Sequence, residues 1–306
     1  MKQAEKTAEG WITEIQRFSL NDGPGIRTTV FFKGCSLNCA WCHNPETIRP
    51  RSELMTYPAR CIGCGHCVEV CPSGAHFKQE GAVGFDRTKC VNCGKCAEVC
   101  FPGAMVMSAK KTTAAKVMAE IVQDRAYYKD SGGGVTLSGG EVFCQPAFAE
   151  ALISACRAEK IHVAAETNLQ WDFEAIRPLL EQLDLVMFDL KLADPEAHRL
   201  WTGVDNTRIL ANLRKLDLLG VPLIGRTPLI PGATDAKENI SAVAAELSSL
   251  KNLIRYELLN FNPLGGSKYQ ALEMEDRFAS ALPLDKEHLS ELVRAAKSAG
   301  IKVVLG

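Results

Sequence analysis

The chain has 306 residues, 46% of them hydrophobic and 23% charged, with 35 Lys and Arg against 36 Asp and Glu for a formal charge of -1. This is enough apolar material for one large domain or two modest ones, and the even charge gives no global electrostatic case for nucleic acid or an anionic membrane surface. No apolar run approaches the roughly eighteen residues of a membrane span, and the start, MKQAEKTAEGW, lacks the apolar core of a secretion signal, so the expected location is the cytoplasm.

The first predicted element is a strand at residues 28–33 (TTVFFK), which ends at Gly34 and empties into a loop carrying Cys35, Cys39 and Cys42. Residues 51–108 follow, with eight cysteines, many glycines and few periodic stretches. Their order must come from something other than a large hydrophobic core, and they are expected to form a small metal-stapled module between an N-terminal part, 1–50, and the remainder, 109–306. Beyond residue 112 helix-period segments at 113–129, 146–159, 173–182, 207–219, 236–248 and 286–299 alternate with strand-like runs at 135–138, 162–166, 184–190, 222–228, 254–260 and 301–305. The alternation predicts an α/β fold with a parallel sheet. The chemical-looking segments fall at the C-terminal ends of these strands, or on the strand itself for Arg226. That favours a partial (β/α)6 TIM-type barrel over a flat doubly wound sheet.

Of thirteen cysteines, eleven lie between Cys35 and Cys100, and in a reducing compartment such crowding points to metal rather than disulfides. Cys61, Cys64, Cys67 and Cys71 form C-x2-C-x2-C-x3-C followed by Pro72, and Cys90, Cys93, Cys96 and Cys100 repeat the spacing, with Pro102 one residue late. This is the bacterial two-cluster ferredoxin pattern, in which the fourth cysteine of each run ligates the other cluster. By that rule one 4Fe-4S cluster takes Cys61, Cys64, Cys67 and Cys100, and the other takes Cys90, Cys93, Cys96 and Cys71. A pair of zinc sites is the rival, and the crowding argues against it. Cys35, Cys39 and Cys42, at C-x3-C-x2-C spacing, have no fourth cysteine nearby, so a cluster there would keep one iron open for a ligand. Cys144 and Cys156 are expected to be buried free thiols rather than a fourth ligand, and His43 to serve loop packing.

The C-x3-C-x2-C spacing resembles the radical S-adenosylmethionine signature, and residues 18–46, FSLNDGPGIRTTVFFKGCSLNCAWCHNPE, resemble the activating enzymes of glycyl radical enzymes. The most specific part is Asp22-Gly23-Pro24-Gly25-Ile26-Arg27, and residues 51–108 resemble the ferredoxin-like insert of those activases that carry two extra clusters. The resemblance implies three 4Fe-4S clusters, with S-adenosylmethionine on the open iron of the Cys35, Cys39 and Cys42 cluster. It puts Trp41 near the adenine, and Gly139, Gly140 and Glu141 beside the methionine ammonium. Asp189 and Lys191 are implied as cofactor contacts, with the lysine near the cofactor carboxylate, and Arg226 lies close by. A monovalent cation at Glu166, Thr167, Met187 and Asp189 is implied as well. Asn262 stands where several relatives have a histidine, and an amide can donate and accept but cannot titrate. Ser131-Gly132-Gly133-Gly134 is not a phosphate loop, because no Gly-Lys-Ser/Thr follows. His198 is expected to be structural or interfacial.

The implied activity is reductive cleavage of S-adenosylmethionine and abstraction of a hydrogen atom from a glycine of a partner glycyl radical enzyme, of benzylsuccinate synthase or arylacetate decarboxylase type. A flavodoxin or ferredoxin type reductant would supply the electron. Two other readings stay open. A radical S-adenosylmethionine enzyme acting on a small molecule or peptide side chain would lack the DGPGIR stretch, and a simple electron carrier would leave residues 109–306 without a role.

Overall fold

The computed structural model describes residues 7–79 and 82–306; the first six residues, part of the segment read against a secretion signal, lie outside the described residues. The strands in chain order are β1 (Glu9–Ser19), β2 (Arg27–Phe32), β3 (Leu54–Thr56), β4 (His76–Gln79), β5 (Ala82–Phe85), β6 (Met105–Met107), β7 (Lys110–Thr113), β8 (Gly134–Gly139), β9 (Val163–Thr167), β10 (Leu185–Asp189), β11 (Leu223–Leu229), β12 (Leu253–Asn260) and β13 (Val303–Leu305). Nine of them form one sheet in the order β13-β12-β11-β10-β9-β8-β2-β1-β7. From β2 through β13 every neighbouring pair in this sheet is parallel, so the alternation of strand and helix reads out as expected.

The parallel strands are short continuous apolar runs because helices cover their outer face. Val135, Leu137, Val163, Val186 and Phe188 are fully buried in a core shared with Leu152, Ile153, Leu213 and Leu247 from the helices. Pro146–Ala158 starts with proline at its first turn, where no amide partner is lost, and buries Phe148, Ala149, Leu152, Ile153 and Cys156 along one face. Asp172 and Asp285 cap their helices by accepting from the amides of Glu174 (3.0 Å) and His288 (2.9 Å). No helix among the described residues is long and apolar enough to cross a membrane.

Outside the cysteine module the structure departs from the expected elements in five places. β1 and β7 were not expected; they add to the free edge of β2 as antiparallel strands, and β1 carries two register shifts. Its polar residues Thr13, Glu14 and Gln16 border an open cavity rather than a dry core, with Glu14 and Gln16 exposed, which removes the apolar alternation that marks a strand. The single helix expected at 113–129 is instead Ala114–Ile121, a 3-10 turn Val122–Asp124 and Arg125–Ser131. The break serves Asp124, which turns inward to accept from Arg17 Nε and Thr28 Oγ1, each at 2.8 Å, and so ties the turn to β1 and β2. Helices Pro195–Thr202 and Gly266–Leu272 complete the differences; the second opens on glycine and is too short for a periodic signal.

Residues between β2 and β7 give no strand to the large sheet. They form two small antiparallel pairs, β3 with β6 and β4 with β5, and the short helices His66–Val70 and Lys95–Glu98. Met55 of β3 packs on Ala271 and Leu272, while Arg87 donates to Leu54 O (2.9 Å) and Ala271 O (3.0 Å), so the segment docks on helix Gly266–Leu272. The Ser131-Gly132-Gly133-Gly134 stretch has a packing role: a Cβ on Gly133 would lie 1.9 Å from Ile26 O, so this turn is pressed against the DGPGIR loop.

Candidate functional site

A cavity of about 680 Å³ opens at the C-terminal ends of the parallel strands. It is lined by Cys35, Cys39 and Cys42, by Trp41, Gly139 and Gly140, and by Glu166, Thr167, Asp189, Lys191, Arg226 and Asn262. Residues spread over more than 220 positions of sequence thus share one space, because each parallel strand delivers its next loop to the same end of the sheet.

The three-cysteine loop hangs from β2 by backbone bonds. Gly34 N–H donates to Thr47 O (2.7 Å) and Cys35 N–H to Ile48 O (2.9 Å), while Asn38 and Ala40 donate to Thr202 O and Trp201 O at 2.8 and 2.9 Å. Helix Pro195–Thr202 therefore lends its last carbonyls to the cysteine loop. Cys35 Sγ accepts from Asn168 Nδ2 (3.5 Å) and Leu37 N–H (3.4 Å). Burial pushes all three thiols up, Cys42 to about 12. Such thiols become thiolates when a metal takes the place of the proton, the behaviour expected of ligands.

Gly139 and Gly140 end β8 where it meets β2. A Cβ on Gly139 would lie 2.3 Å from Phe32 N, and one on Gly140 2.2 Å from Gly34 O, so only glycine lets this turn close against the cysteine loop. Glu141 was expected to offer its carboxylate to a ligand. Instead its side chain is buried behind the turn, accepting from Thr167 Oγ1 (2.9 Å), Asn168 N–H (2.8 Å) and Phe143 N–H (3.2 Å). Burial raises its carboxyl to about 7 against the pull of those donors. The backbone of the two glycines is what reaches the cavity.

Lys191 Nζ pairs with Asp189 Oδ2 at 2.5 Å. Burial works against the lysine charge, yet Asp189 and Cys39 together hold Lys191 above its ordinary value. Arg226 is buried between Glu166 and Glu257 Oε2 (2.7 Å) and donates to Asn21 O (3.2 Å), tying the loop before β2 to β11. Burial raises Glu166, opposed by Arg226. The side chains expected to cage a monovalent cation already have partners in this structure. Both oxygens of Glu166 are engaged, by Arg226 and by Ser138 Oγ, Asp189 is paired with Lys191, Thr167 Oγ1 donates to Glu141, and the Met187 side chain lies in the core.

Trp41 packs with Trp201 and Phe278, each with ring centroids 6.2 Å away, giving an aromatic wall at one side of the cavity. Asn262 is exposed at the rim, and its Oδ1 accepts from Leu264 N–H (3.1 Å). His43 also borders the cavity, and burial lowers its pKa. His198 is structural, its Nδ1 bonding Thr202 Oγ1 (2.9 Å) and Val204 O. Cys156 is buried as expected, but Cys144 is exposed, at the end of the 3-10 turn Val142–Cys144 that carries it outward. Sequence reasoning picked out the Glu166-Thr167-Asn168 strand end but gave Asn168, on Cys35, no role, and it missed Lys268, which donates to Asn44 Oδ1 and Glu46 Oε1 at 2.7 Å each beside the cavity. Neither belongs to a spacing pattern that sequence could expose.

Two small cavities lie in the module. One is lined by Cys61, Cys64, Cys67 and Cys100, the other by Cys71, Cys90, Cys93 and Cys96. The fourth cysteine of each run thus crosses to the partner cavity, the exchange expected for two clusters. Among the described residues no three His, Cys, Asp or Glu converge on a single metal ion, so the fit rests on which cysteines share a cavity.

Residues 90–242 match the radical SAM superfamily domain, residues 60–104 a 4Fe-4S dicluster domain and residues 21–78 a 4Fe-4S single cluster domain. The chain is 40% identical to the isethionate sulfite-lyase activating enzyme of Oleidesulfovibrio alaskensis, over 96% of this chain and 95% of that protein. It is also 40% identical to the benzylsuccinate synthase activating enzyme of Thauera aromatica, over 96% of this chain and 92% of the other. A radical SAM methyltransferase from Sphaerobacter thermophilus, 14% identical, superimposes with a TM-score of 0.55 over 98% of this chain and 77% of that one, a likeness of fold alone.

Proposed function

The chain belongs to the glycyl radical enzyme activating enzymes of the radical S-adenosylmethionine superfamily, and from that premise we infer how its residues share the work. It is an oxidoreductase that uses iron–sulfur and S-adenosylmethionine chemistry to activate a partner glycyl radical enzyme. When bound, a reduced 4Fe-4S cluster and S-adenosylmethionine supply a 5′-deoxyadenosyl radical that takes a hydrogen atom from a glycine Cα of the partner.

Cys35, Cys39 and Cys42 hold the catalytic cluster with one iron open, and Asn168 orients Cys35 through its amide. The backbone at Gly139 and Gly140 receives the cofactor's ammonium, while Lys191, its charge balanced by Asp189, meets the carboxylate, with Arg226 close by and neutralised by Glu166 and Glu257. Trp41 offers an apolar face to the adenine, and Asn262 a rim amide. The observation that carries this reading is the single cavity shared by the cysteine loop and the strand ends. Residues 51–108 are read as an inserted ferredoxin-like domain between 1–50 and 109–306, bringing the total to three clusters; the crossed cysteine cavities support it. A flavodoxin or ferredoxin type protein is the reductant. The large sheet is read as a partial barrel, supported by residues of β1 and β12, near its two ends, lining one cavity while β13 and β7 do not pair. Its open side admits the partner's glycine loop to hydrogen-transfer reach.

A benzylsuccinate synthase or arylacetate decarboxylase type partner remains the proposal, supported by the Thauera relative. Equal identity to an isethionate sulfite-lyase activating enzyme fits an activase that never touches its partner's small substrate. The test is electron paramagnetic resonance of each co-encoded glycyl radical protein after incubation with this chain, S-adenosylmethionine and reductant. A glycine-centred doublet, lost when the partner's glycine becomes alanine, is expected. Cofactor cleavage without that signal from any candidate would favour a small-molecule substrate.

A further inference from the structure

The two halves of the cysteine module repeat one another position by position. After Cys71 the chain reads Pro72-Ser73-Gly74-Ala75-His76, and after Cys100 it reads Phe101-Pro102-Gly103-Ala104-Met105. The surroundings of the two four-cysteine cavities are correspondingly alike. Cys64 and Cys93 are exposed, Cys67 and Cys96 buried, and the other four intermediate. Each cavity also has backbone donors to its cysteines, not all at equivalent positions. In the cavity of Cys61 and Cys100, Gly63 N–H donates to Cys61 Sγ (3.5 Å) and Met105 N–H to Cys100 Sγ (3.4 Å). In the cavity of Cys71 and Cys90, Ala75 N–H donates to Cys71 Sγ (3.2 Å) and Asn92 N–H to Cys90 Sγ (3.4 Å).

Side chains break this symmetry. Ser73 Oγ lies 3.7 Å from Cys71 Sγ, where the other half has Pro102 and no donor at all. His76 lines the cavity of Cys71, Cys90, Cys93 and Cys96, and its ring is held against Phe85 with centroids 4.9 Å apart. It is 3% exposed, and its Nδ1 is buried with no hydrogen-bond partner among the described residues. The corresponding residue of the other half, Met105, lines the sister cavity and has no polar hydrogen. A buried imidazole nitrogen left alone is costly, and the acceptors that would relieve it are the sulfurs a cluster brings to this cavity.

We infer that His76 and Ser73 donate hydrogen bonds to sulfur of the cluster held by Cys71, Cys90, Cys93 and Cys96, and that this cluster is the higher-potential member of the auxiliary pair. Reduction adds negative charge to a cluster, and donors to its sulfurs stabilise the reduced form more than the oxidised one, which raises the potential. Ligand type, ligand number and exposure are matched by the duplication, so the side-chain donors set the order. A single electron passing between the two therefore runs from the Cys61 cluster to the Cys71 cluster. The inference rests on reading the module as a two-cluster domain.

The test is an electron paramagnetic resonance redox titration of the anaerobically reconstituted full chain with S-adenosylmethionine present, which marks the catalytic cluster apart from the other two. His76→Met places in the first half the residue the second half already carries. It lowers the upper auxiliary potential and leaves the lower one and the catalytic signal unchanged. Ser73→Ala shifts the same transition by less, and Met105→His raises the lower transition. Full iron content in His76→Met with both auxiliary potentials unmoved, or a shift confined to the lower one, overturns the assignment. A wild-type chain that saturates at about four irons with no auxiliary signals would instead sink the two-cluster reading itself.

Discussion

The cavity at the strand ends and the cysteine module hold metal-binding residues by opposite means. In the module the eight cysteines fall within 40 residues, strands are three or four residues long, and the buried apolar cluster is little more than Leu54, Met105 and the cysteines themselves. Around the strand-end cavity a large core of fully buried side chains fixes seven parallel strands, and the site residues ride on that scaffold. The module is thus expected to owe its order to its metal, whereas the cavity owes its geometry to packing. What this teaches is that similar ligands can be built into a protein with either the metal or the core as the organising element.

The largest effect that separates the two regions is on catalysis. Cys39→Ser removes one of the three ligands proposed for the catalytic cluster and is expected to abolish formation of 5′-deoxyadenosine, while Cys64→Ser is expected to leave the cofactor-bound spectrum of that cluster at least partly intact. A wild-type cleavage rate in Cys39→Ser would overturn the site assignment. Next comes removal of iron by chelation under anaerobic conditions. Hydrogen exchange over residues 51–108 is expected to rise toward that of unfolded chain while the parallel strands stay protected; equal loss in both regions would show that the module does not depend on its metal.

Smaller effects belong to the packed region. Gly139→Ala sets a Cβ 2.3 Å from Phe32 N at a backbone φ of +113° and is expected to cost about 2 to 4 kcal/mol in denaturant unfolding. Full stability would mean that the turn after β8 is free to move. Glu141 gives a pH dependence. Burial raises its folded-state pKa from 4.5 to about 7, so the folded chain binds more protons than the unfolded one between those values, and stability falls as pH rises through that window by on the order of 2 to 3 kcal/mol. Glu141→Gln is expected to flatten that part of the stability profile, and an unchanged slope would refute the assignment. Cys144→Ser, at an exposed turn, is expected to change stability by less than about 0.5 kcal/mol and leave iron content unaltered. Loss of iron there would make Cys144 a ligand after all.

The parallel strands were legible within a residue or two because a strand covered on both faces is written as a short apolar run between turns. β1 was not, since its polar residues Thr13, Glu14 and Gln16 border an open cavity and interrupt the apolar alternation. The fate of Glu141 was hidden for a related reason. Sequence put a carboxylate at the end of a glycine turn, and the direction of that carboxylate depends on Thr167 and Asn168, which come from the next strand.

Spacing along the chain by itself determined the ligand chemistry. Cysteines two or three residues apart can converge whatever the rest of the fold does, so the proposed ligand sets came from spacing, and the structure adds that Cys71 and Cys100 each line the cavity of the other run. Tertiary structure alone decided which partners the other site residues keep. Arg226 with Glu166 and Glu257, and Asn168 with Cys35 meet through strand register and loop closure, whereas Lys191 and Asp189, two residues apart, are a local pair. The physical reason is range: a chelating loop is a local arrangement, whereas an ion pair between neighbouring strands exists only once packing has set those strands side by side.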